Sequence, residues 1–203
     1  YFETYNLPHV DLVDLRATPI EEITEHGIRT SEQEYPLDII IFATGFDAMT
    51  GALLKIDIRG REGKTLAQTW LAGPTNYLGL QIAGFPNMFT ITGPGSPSVL
   101  SNMPVAIEQH VDWVTDCIEY LERNQIASIE ASETAMHAWV EHVNEVANAT
   151  LMPKANHSWY HGANVPGKPI VFMPYAGGLP RFRAACNDIA QNGYKGFVLQ
   201  QRT

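Results

Sequence analysis

The most constraining feature of the sequence is an apolar run at residues 37–42, interrupted only by Asp38, that ends directly in a turn of small residues. The stretch from Asp38 to Asp47 has the sequence DIIIFATGFD. An apolar run without alternation predicts a strand covered on both faces, as in the parallel sheet of an α/β fold. The small residues Ala43, Thr44 and Gly45 then predict a close approach of bare backbone to another group. We therefore expect a central strand with a ligand-binding turn at its carboxyl end.

A second apolar stretch, at residues 88–92, has the same layout. It predicts another buried strand and is followed by the turn sequence GPGSP. A helix is predicted next, with Ser101 or Asn102 as its N-cap and with Pro104 in its first turn, where a missing N–H costs nothing. The apolar positions of this helix keep a helical period, at Ile107, His110, Val111, Val114, Ile118 and Leu121.

The two glycine turns have two interpretations. In the first, both lie at the carboxyl ends of sheet strands, where open α/β folds bind ligands. The helix that follows the second turn would then offer unpaired N–H groups and the positive end of its dipole to an anion or an electron-rich carbonyl. In the second interpretation, both turns serve only to pack the chain. The GxGxxG pattern that binds a pyrophosphate does not occur in this sequence.

The remaining sequence predicts short strands, loops and helices. Residues 1–37 predict small antiparallel strands, including His9–Leu15 and a hairpin over Ile20–Thr30 with Gly27 in its turn. Residues 48–85 contain many glycines and predict loops. The later elements are a helix over Ser132–Leu151, a strand over Ile170–Met173, a helix over Pro180–Gln191 that Gly193 terminates, and a last strand over Gly196–Leu199.

The composition argues against several classes of protein. A net charge of −9 over 203 residues, without a Lys/Arg cluster, disfavours a nucleic-acid partner. No apolar run approaches the roughly 20 residues of a membrane span and no secretory signal is present, which predicts a cytoplasmic protein. Cys117 and Cys186 predict buried thiols, and the spacing of histidines such as His137 and His142 does not predict a metal site.

The motifs taken together resemble a known family. DIIIFATGFD resembles the ATG strand of flavin-dependent monooxygenases that are built from two dinucleotide-binding domains. It occurs together with GALLKIDIRG, YLGLQIAGFPNMFTITGPGSPSVLSNM, IEQHVDWVTD, SWYHGANVPGKP and GYKGFVL. In this order, over Tyr1–Leu199, these motifs resemble the C-terminal part of the type I Baeyer-Villiger monooxygenases, the family of the phenylacetone and cyclohexanone monooxygenases.

The resemblance implies a fold and a division into domains. The fold is α/β, the C-terminal part of a flavoprotein with two Rossmann-like domains that bind FAD and NAD(P), with a helical C-terminal region. Residues 1–41 are expected to end the NADPH-binding domain. Residues 42–203 are expected to belong to the FAD-binding domain and to include a mobile loop at 152–169.

The resemblance also implies an activity. Members of the family use FAD, NADPH and O2 to insert one oxygen next to a ketone carbonyl, which gives an ester or a lactone. The GxGxxG motifs, the catalytic arginine and the catalytic aspartate of the family correspond to sequence upstream of Tyr1. The sequence begins with Tyr1 and not with an initiator Met. We therefore expect a fragment without catalytic residues of its own, inactive alone, whose partners are a small ketone, O2 and the rest of its own chain.

Roles for individual residues follow from the same resemblance. The backbone of Met103 is expected at the pyrimidine edge of the flavin, and Trp159 is expected to reach the nicotinamide cofactor when the mobile loop folds inward. A substrate pocket and a hinge beside the cofactors complete the expected site: Ser98, Val99 and Leu100 line the pocket, and Thr44 and Gly45 form the hinge. Val99 and Pro104 depart from the usual family pattern, so the resemblance does not specify the ketone.

Two other functions are compatible with the sequence. The first is a non-catalytic α/β binding module that has kept the scaffold and lost the chemistry. The second is a related flavin N- or S-oxygenase. A stable monomer without cofactor would favour the binding module. A fragment that lacks parts of both domains is instead expected to expose apolar faces and sheet edges.

Overall fold

The computed structural model describes residues 1–155 and 158–202. The chain divides into two compact units, at 1–44 and 45–203, with the boundary between Thr44 and Gly45. Within the described ranges, no helix combines the length and the apolar character needed to cross a bilayer. The same ranges contain no group of three or more His, Cys, Asp or Glu side chains that could hold a metal ion.

The first unit contains a short 3-10 helix and one antiparallel sheet. The 3-10 helix covers Phe2–Asn6, and the strands are β1 (Ile20–Ile23), β2 (Gly27–Thr30) and β3 (Glu34–Pro36), in the order β1-β2-β3. The predicted hairpin is therefore confirmed. Gly27 is required because a Cβ at this position would lie 1.9 Å from the Tyr35 carbonyl oxygen of the paired strand.

Two strand predictions in this unit are wrong. Residues 9–15 form no strand, and Leu12 is 76% exposed. Residues 37–42 form no strand either, and Ile39, Ile41 and Phe42 are at least 70% exposed. A strand needs neighbouring strands to accept its backbone hydrogen bonds and to cover its faces. The Leu37 N–H donates to the His26 carbonyl oxygen at 2.9 Å, and no strand of the described residues pairs with 38–42.

The second unit is mainly helical and carries one two-stranded sheet. Its helices are α1 (Gly51–Leu54), α2 (Leu66–Thr69), α3 (Met103–Arg123), α4 (Glu133–Asn148) and α5 (Leu179–Gln191). Its antiparallel strands are β4 (Ile126–Ala131) and β5 (Phe197–Gln201). Single 3-10 turns cover Arg61–Gly63, Ser98–Leu100, Met152–Lys154 and Trp159–His161.

The sequence predicted the long elements of this unit better than the short ones. The helices α3, α4 and α5 and the strand β5 are confirmed, and β4 was not predicted. The predicted strands at 88–92 and 170–173 are wrong, because both segments are extended or turning backbone without a paired strand. Capping agrees with prediction: the Asn102 side chain accepts from the Val105 N–H at 3.4 Å, and Pro104 lies in the first turn.

The core of the second unit lies between α3, α4 and α5. The Trp113 indole of α3 donates to the Cys186 carbonyl oxygen of α5 at 2.9 Å, and Phe182 and Trp139 fill the space between the helices. Cys117 and Cys186 are free, buried thiols, as predicted. Burial raises the pKa of both thiols to about 12, so neither is a thiolate at neutral pH.

The face of α3 that is buried differs from the predicted one. The buried residues are Ala106, Gln109, His110, Trp113 and Cys117, and only His110 belongs to the predicted stripe. Ile107, Val111 and Ile118 are 38–48% exposed. The larger Trp113 side chain and its hydrogen bond to α5 decide the orientation of the helix, so α3 carries apolar residues on both sides.

A loop segment extends the small sheet at its edge. Asn87 donates its backbone N–H to the Ile129 carbonyl oxygen at 2.9 Å, and its side-chain oxygen accepts the Ile129 N–H at 3.0 Å. The neighbouring Glu130 carboxylate accepts from the Gly84 N–H at 2.7 Å and from the Arg61 Nε at 2.6 Å. Glu130 therefore fastens two points of the loop region to β4.

Removing the Glu130 carboxylate should destabilise the chain. We expect Glu130→Ala to lower the free energy of unfolding by about 2 kcal/mol, because the partly buried Gly84 amide loses its acceptor and Arg61 loses its partner. Glu130→Gln keeps an acceptor and should cost about half as much. Urea denaturation measures both. Glu119→Ala, in an exposed ion pair with Arg123, is the control and should change stability by less than about 0.5 kcal/mol; equal losses at both positions would contradict the assignment.

Candidate functional site

An open cavity of about 430 Å³ in the second unit is the candidate functional site. Its walls are mainly apolar and include Leu53, Phe89, Ile91, Val99, Met103 and Trp159. Two further depressions of the same unit, of about 330 and 660 Å³, have more polar walls. A mainly apolar cavity with a few polar groups is typical of sites for small organic ligands.

Four of the predicted site residues meet in this cavity. Ser98, Val99, Met103 and Trp159 all line it, although they come from a 3-10 turn, the start of α3 and a distant loop. Leu100 ends the same 3-10 turn and is partly buried but does not line the cavity. The remaining two predicted residues, Thr44 and Gly45, are also outside the lining set. Their role near the cofactors stays a prediction.

Three non-glycine residues of the cavity wall have positive φ angles. The angles are 67° at Met49, 52° at Thr92 and 46° at Ser98. Each such residue costs about 1–2 kcal/mol relative to ordinary backbone, and such residues concentrate at functional sites. The Ser98 hydroxyl also contacts the Met49 sulfur at 3.2 Å and links two of the three. Nothing in the sequence around Met49 predicted its place in the wall.

The glycines of the second predicted turn approach their own chain. A Cβ on Gly93 would lie 2.6 Å from the Thr90 hydroxyl and 2.8 Å from the Gly79 carbonyl oxygen. The Gly95 carbonyl oxygen accepts from the Trp139 indole at 3.0 Å. Close packing against the chain itself therefore accounts for these two glycines. Gly93 also lines the cavity, so the interpretation in which its backbone is open to a ligand stays a prediction. At Gly45 there is room for a Cβ, so glycine is required there only by the φ angle of 88°.

The start of α3 fits an electron-rich ligand atom. The Asn102 side chain takes the Val105 N–H, the Asn102 carbonyl takes the Ala106 N–H, and Pro104 has no N–H. The Met103 N–H is thus the one amide of the first turn that has no acceptor within the helix. Because Met103 is the first residue of this 21-residue helix and lines the cavity, the positive end of the helix dipole lies at the cavity wall.

His110 holds the cavity wall from inside the core. Its ring is completely buried, packs against Phe182 with centroids 5.4 Å apart, and accepts the Thr92 N–H at Nδ1 at 2.9 Å. Burial lowers the pKa of His110 from 6.5 to about 4. The ring is therefore neutral at physiological pH, and it must be neutral for Nδ1 to accept a hydrogen bond.

The segment with Trp159 is ordered by local hydrogen bonds. The Ser158 hydroxyl accepts the Tyr160 N–H at 3.2 Å, and the Tyr160 carbonyl accepts the Met173 N–H at 2.9 Å. Trp159 packs edge-on against Tyr160, with ring centroids 4.4 Å apart. Residues 156 and 157 of the predicted mobile loop at 152–169 lie outside the described residues, so the mobility of this loop stays a prediction.

Comparisons with curated proteins find monooxygenases. No family model matches the chain. A Baeyer-Villiger monooxygenase of Pseudooceanicola batsensis is 44% identical over 199 residues, which are 98% of this chain and 36% of the relative. Phenazine N-monooxygenase PhzNO1 of Lysobacter antibioticus is 42% identical over 98% of this chain and 36% of its own length. The chain thus spans about 36% of the length of these curated relatives.

Solved structures agree with the sequence comparison. A closed crystal structure of cyclohexanone monooxygenase superposes with a TM-score of 0.94 at 42% identity and covers 100% of this chain and 38% of that one. The structure of OTEMO in complex with FAD and NADP superposes with a TM-score of 0.90 at 41% identity over 98% of this chain and 36% of that one.

The buried neutral histidine predicts how stability depends on pH. Between pH 6.5 and about 4 the unfolded chain binds a proton at residue 110 and the folded chain does not, so stability falls as the pH falls through this window. The expected loss is about 3 kcal/mol, at about 1.4 kcal/mol per pKa unit. His161, whose pKa burial also lowers, adds a loss of the same sign.

Urea denaturation at pH 7 and pH 4.5 checks this dependence. His110→Asn keeps an acceptor near the position of Nδ1 and should reduce the difference in stability between the two pH values. His137→Asn, at an exposed position of α4, is the matched control and should leave the difference unchanged. An unchanged difference in His110→Asn would show that His110 is not the group responsible.

Proposed function

We propose that this chain, a homologue of the Baeyer-Villiger monooxygenases that matches their C-terminal portion, forms the cofactor- and substrate-facing part of an FAD- and NADPH-dependent monooxygenase. The family resemblance and the α/β flavoprotein fold class expected from the motifs are confirmed by these comparisons. The reaction proposed for the whole protein is insertion of one oxygen of O2 next to the carbonyl of a small ketone. A cytoplasmic location is part of the proposal.

The proposal includes an assignment of domains. Residues 1–41 would end the NADPH-binding domain, and residues 42–203 would belong to the FAD-binding domain. Thr44 and Gly45, at the boundary between the two compact units, would then serve as the hinge beside the cofactors. The catalytic arginine and aspartate of the family would come from sequence outside this chain, which supplies binding and positioning groups.

The observation that carries the proposal is the convergence of four residues on one cavity. Ser98, Val99 and Met103 belong to one motif and Trp159 to a second motif far along the sequence, and all four line the apolar cavity of about 430 Å³. Its apolar walls suit a hydrophobic ketone. Backbone strain at Ser98 and at two neighbouring wall residues adds independent support.

The residues of the chain have distinct tasks in this reaction. When bound, a flavin supplies the redox chemistry with O2, and NADPH supplies the electrons. The Met103 amide and the α3 dipole would stabilise negative charge on the pyrimidine edge of the ring. Val99 and Ile91 would hold the apolar part of the ketone. Trp159 would exclude water from the site.

Exposed apolar residues also support the proposal that this chain is part of a larger protein. Ile107, Val111 and Ile118 form an exposed apolar stripe along α3, beside the buried side of the same helix. An exposed apolar patch of this kind is typical of a surface that packs against further protein. The exposed residues Ile39 and Ile41 agree, since their segment has the pattern of a strand covered on both faces.

The activity can be tested on the intact protein that contains this sequence. Addition of a cyclic ketone should increase NADPH oxidation at least about tenfold, and an ester or lactone should form. Trp159→Ala should reduce ketone turnover about tenfold and raise the share of electrons released as hydrogen peroxide, because water enters the site. Leu71→Ala, at a position 79% exposed outside the cavity, is the control. NADPH oxidation that no ketone accelerates would contradict the proposal.

The sequence similarity of this chain to phenazine N-monooxygenase supports a second candidate function. At 42% identity it is about as similar to this chain as the Baeyer-Villiger relatives are. The alternative is oxygenation of an aromatic nitrogen in the same cavity. Supplying phenazine and a cyclic ketone in equal amounts distinguishes the two reactions, because an N-oxide and a lactone have different NMR spectra.

The exposed stripe of α3 predicts opposite effects in the isolated chain and in the intact protein. Ile107→Gln, Val111→Gln and Ile118→Gln together should convert aggregates of the isolated chain to monomer, since an exposed apolar patch drives association. In the intact protein the same changes should lower the melting temperature by several degrees, because buried apolar area is lost. Light scattering and thermal unfolding measure the two effects. A triple variant that leaves the intact protein unchanged would show that nothing covers the stripe.

A further inference from the structure

Among the ion pairs of the described residues, the one between Asp47 and Lys168 has the least exposed basic side chain. The Lys168 side chain is 10% exposed, whereas the basic side chains of the other ion pairs in the described ranges are 46–72% exposed. Its ammonium group also donates to the Ala48 carbonyl oxygen at 3.2 Å. An enclosed ammonium group is costly unless it is paired and hydrogen-bonded. The Lys168 ammonium group is therefore bound to the segment around Asp47.

The loop that carries Lys168 is shaped to admit its side chain. A Cβ at Gly162 would lie 2.9–3.2 Å from three carbons of the Lys168 stem, and the Gly162 φ is 75°. Any larger residue at 162 would push the stem away and would also strain the backbone. Gly162 thus ends the 3-10 turn at Trp159–His161 and makes room for the lysine.

A second contact joins the same two segments. The Asn164 side-chain amide donates to the Phe46 carbonyl oxygen at 3.0 Å. Together with the ion pair, it connects positions about 120 residues apart in the sequence. Two separated polar contacts restrict both sliding and rotation of one segment against the other, which a single contact does not.

The two joined segments both contribute residues to the cavity wall. Ala48 and Met49 directly follow Asp47, and Trp159 belongs to the segment that ends at Lys168. Ala48, Met49 and Trp159 all line the cavity. The position of Trp159 over the cavity therefore depends on the contacts of a lysine that does not line it. Met49, with its positive φ, is held by the same anchor.

We propose that Asp47, Lys168 and Asn164 are positioning residues that hold the Trp159 segment, residues 158–168, against residues 46–49 and so set how completely the cavity excludes water. This inference rests on the proposed function only for its effect on the reaction. The mechanical part concerns this chain alone. Neither Asp47 nor Lys168 lines the cavity, so their effect reaches the substrate through Trp159 and Met49.

The mechanical part can be measured by proteolysis of the intact protein in the absence of substrate. Chymotrypsin cleaves after aromatic residues, and Trp159 and Tyr160 lie in the anchored segment. Lys168→Met keeps most of the stem and removes the charge, and it should accelerate cleavage in this segment about tenfold, because local opening becomes more frequent. The double variant Asp47→Lys with Lys168→Asp should restore slow cleavage, whereas each single reversal should not.

The functional part uses the same variants. Lys168→Met should raise the share of NADPH electrons released as hydrogen peroxide several-fold, with little change in the melting temperature, because catalytic groups and core are untouched. Lys168→Arg should keep most of the coupling. Arg59→Met, in the exposed ion pair with Asp57, is the matched control and should change neither cleavage nor coupling.

Each outcome decides between the alternatives. Unchanged cleavage in Lys168→Met, or a reversed pair that does not restore slow cleavage, overturns the anchor. Faster cleavage with unchanged coupling overturns its role in water exclusion and leaves the mechanical anchor standing. If Lys168→Met does not fold, Asn164→Ala tests the second contact by the same two measurements. A protein that oxidises no ketone refutes the proposed function, and the cleavage data still decide on the anchor.

Discussion

The candidate site depends on one partly buried hydrogen bond, from the Thr92 N–H to the neutral ring of His110. This bond ties the turn that forms one wall of the cavity to α3, whose first residue, Met103, also lines the cavity. One turn further along, Trp113 joins the same helix to α5. Protonation would convert Nδ1 from an acceptor to a donor, so the wall keeps its position only while burial keeps the imidazole neutral.

Strained backbone angles in the cavity wall are held in place by contacts with neighbouring side chains. Met49, Thr92 and Ser98 hold unfavourable backbone angles, and such angles persist only where the surrounding structure enforces them. The His110 ring supports Thr92, and the Ser98 hydroxyl contacts the Met49 sulfur. The glycines at 93 and 95 contribute by close packing against their own chain. The wall is therefore a rigid surface, and the segment with Trp159 is attached to it by polar contacts.

The distribution of apolar surface explains why several local predictions were wrong. Residues 37–42 have the composition of a central strand, but the described residues include no strand that pairs with them. Six apolar positions of α3 were predicted to keep a helical period, and three of them are exposed: Ile107, Val111 and Ile118. The other three, His110, Val114 and Leu121, are buried or pack against the core. Both patterns are consistent with a larger protein, because apolar residues are selected for the environment of the complete fold.

The sequence by itself determined the long helices with their caps, the hairpin, the last strand and the family resemblance, because periodicity, capping residues and motifs are local properties of the chain. It also identified four residues of the cavity wall. Only the tertiary structure decided which side of α3 is buried, since both sides are apolar and the Trp113 contact with α5 selects one. The anchor between Asp47 and Lys168 likewise appeared only in three dimensions, because neither charge carries a local signal and their pairing requires the chain between them to fold.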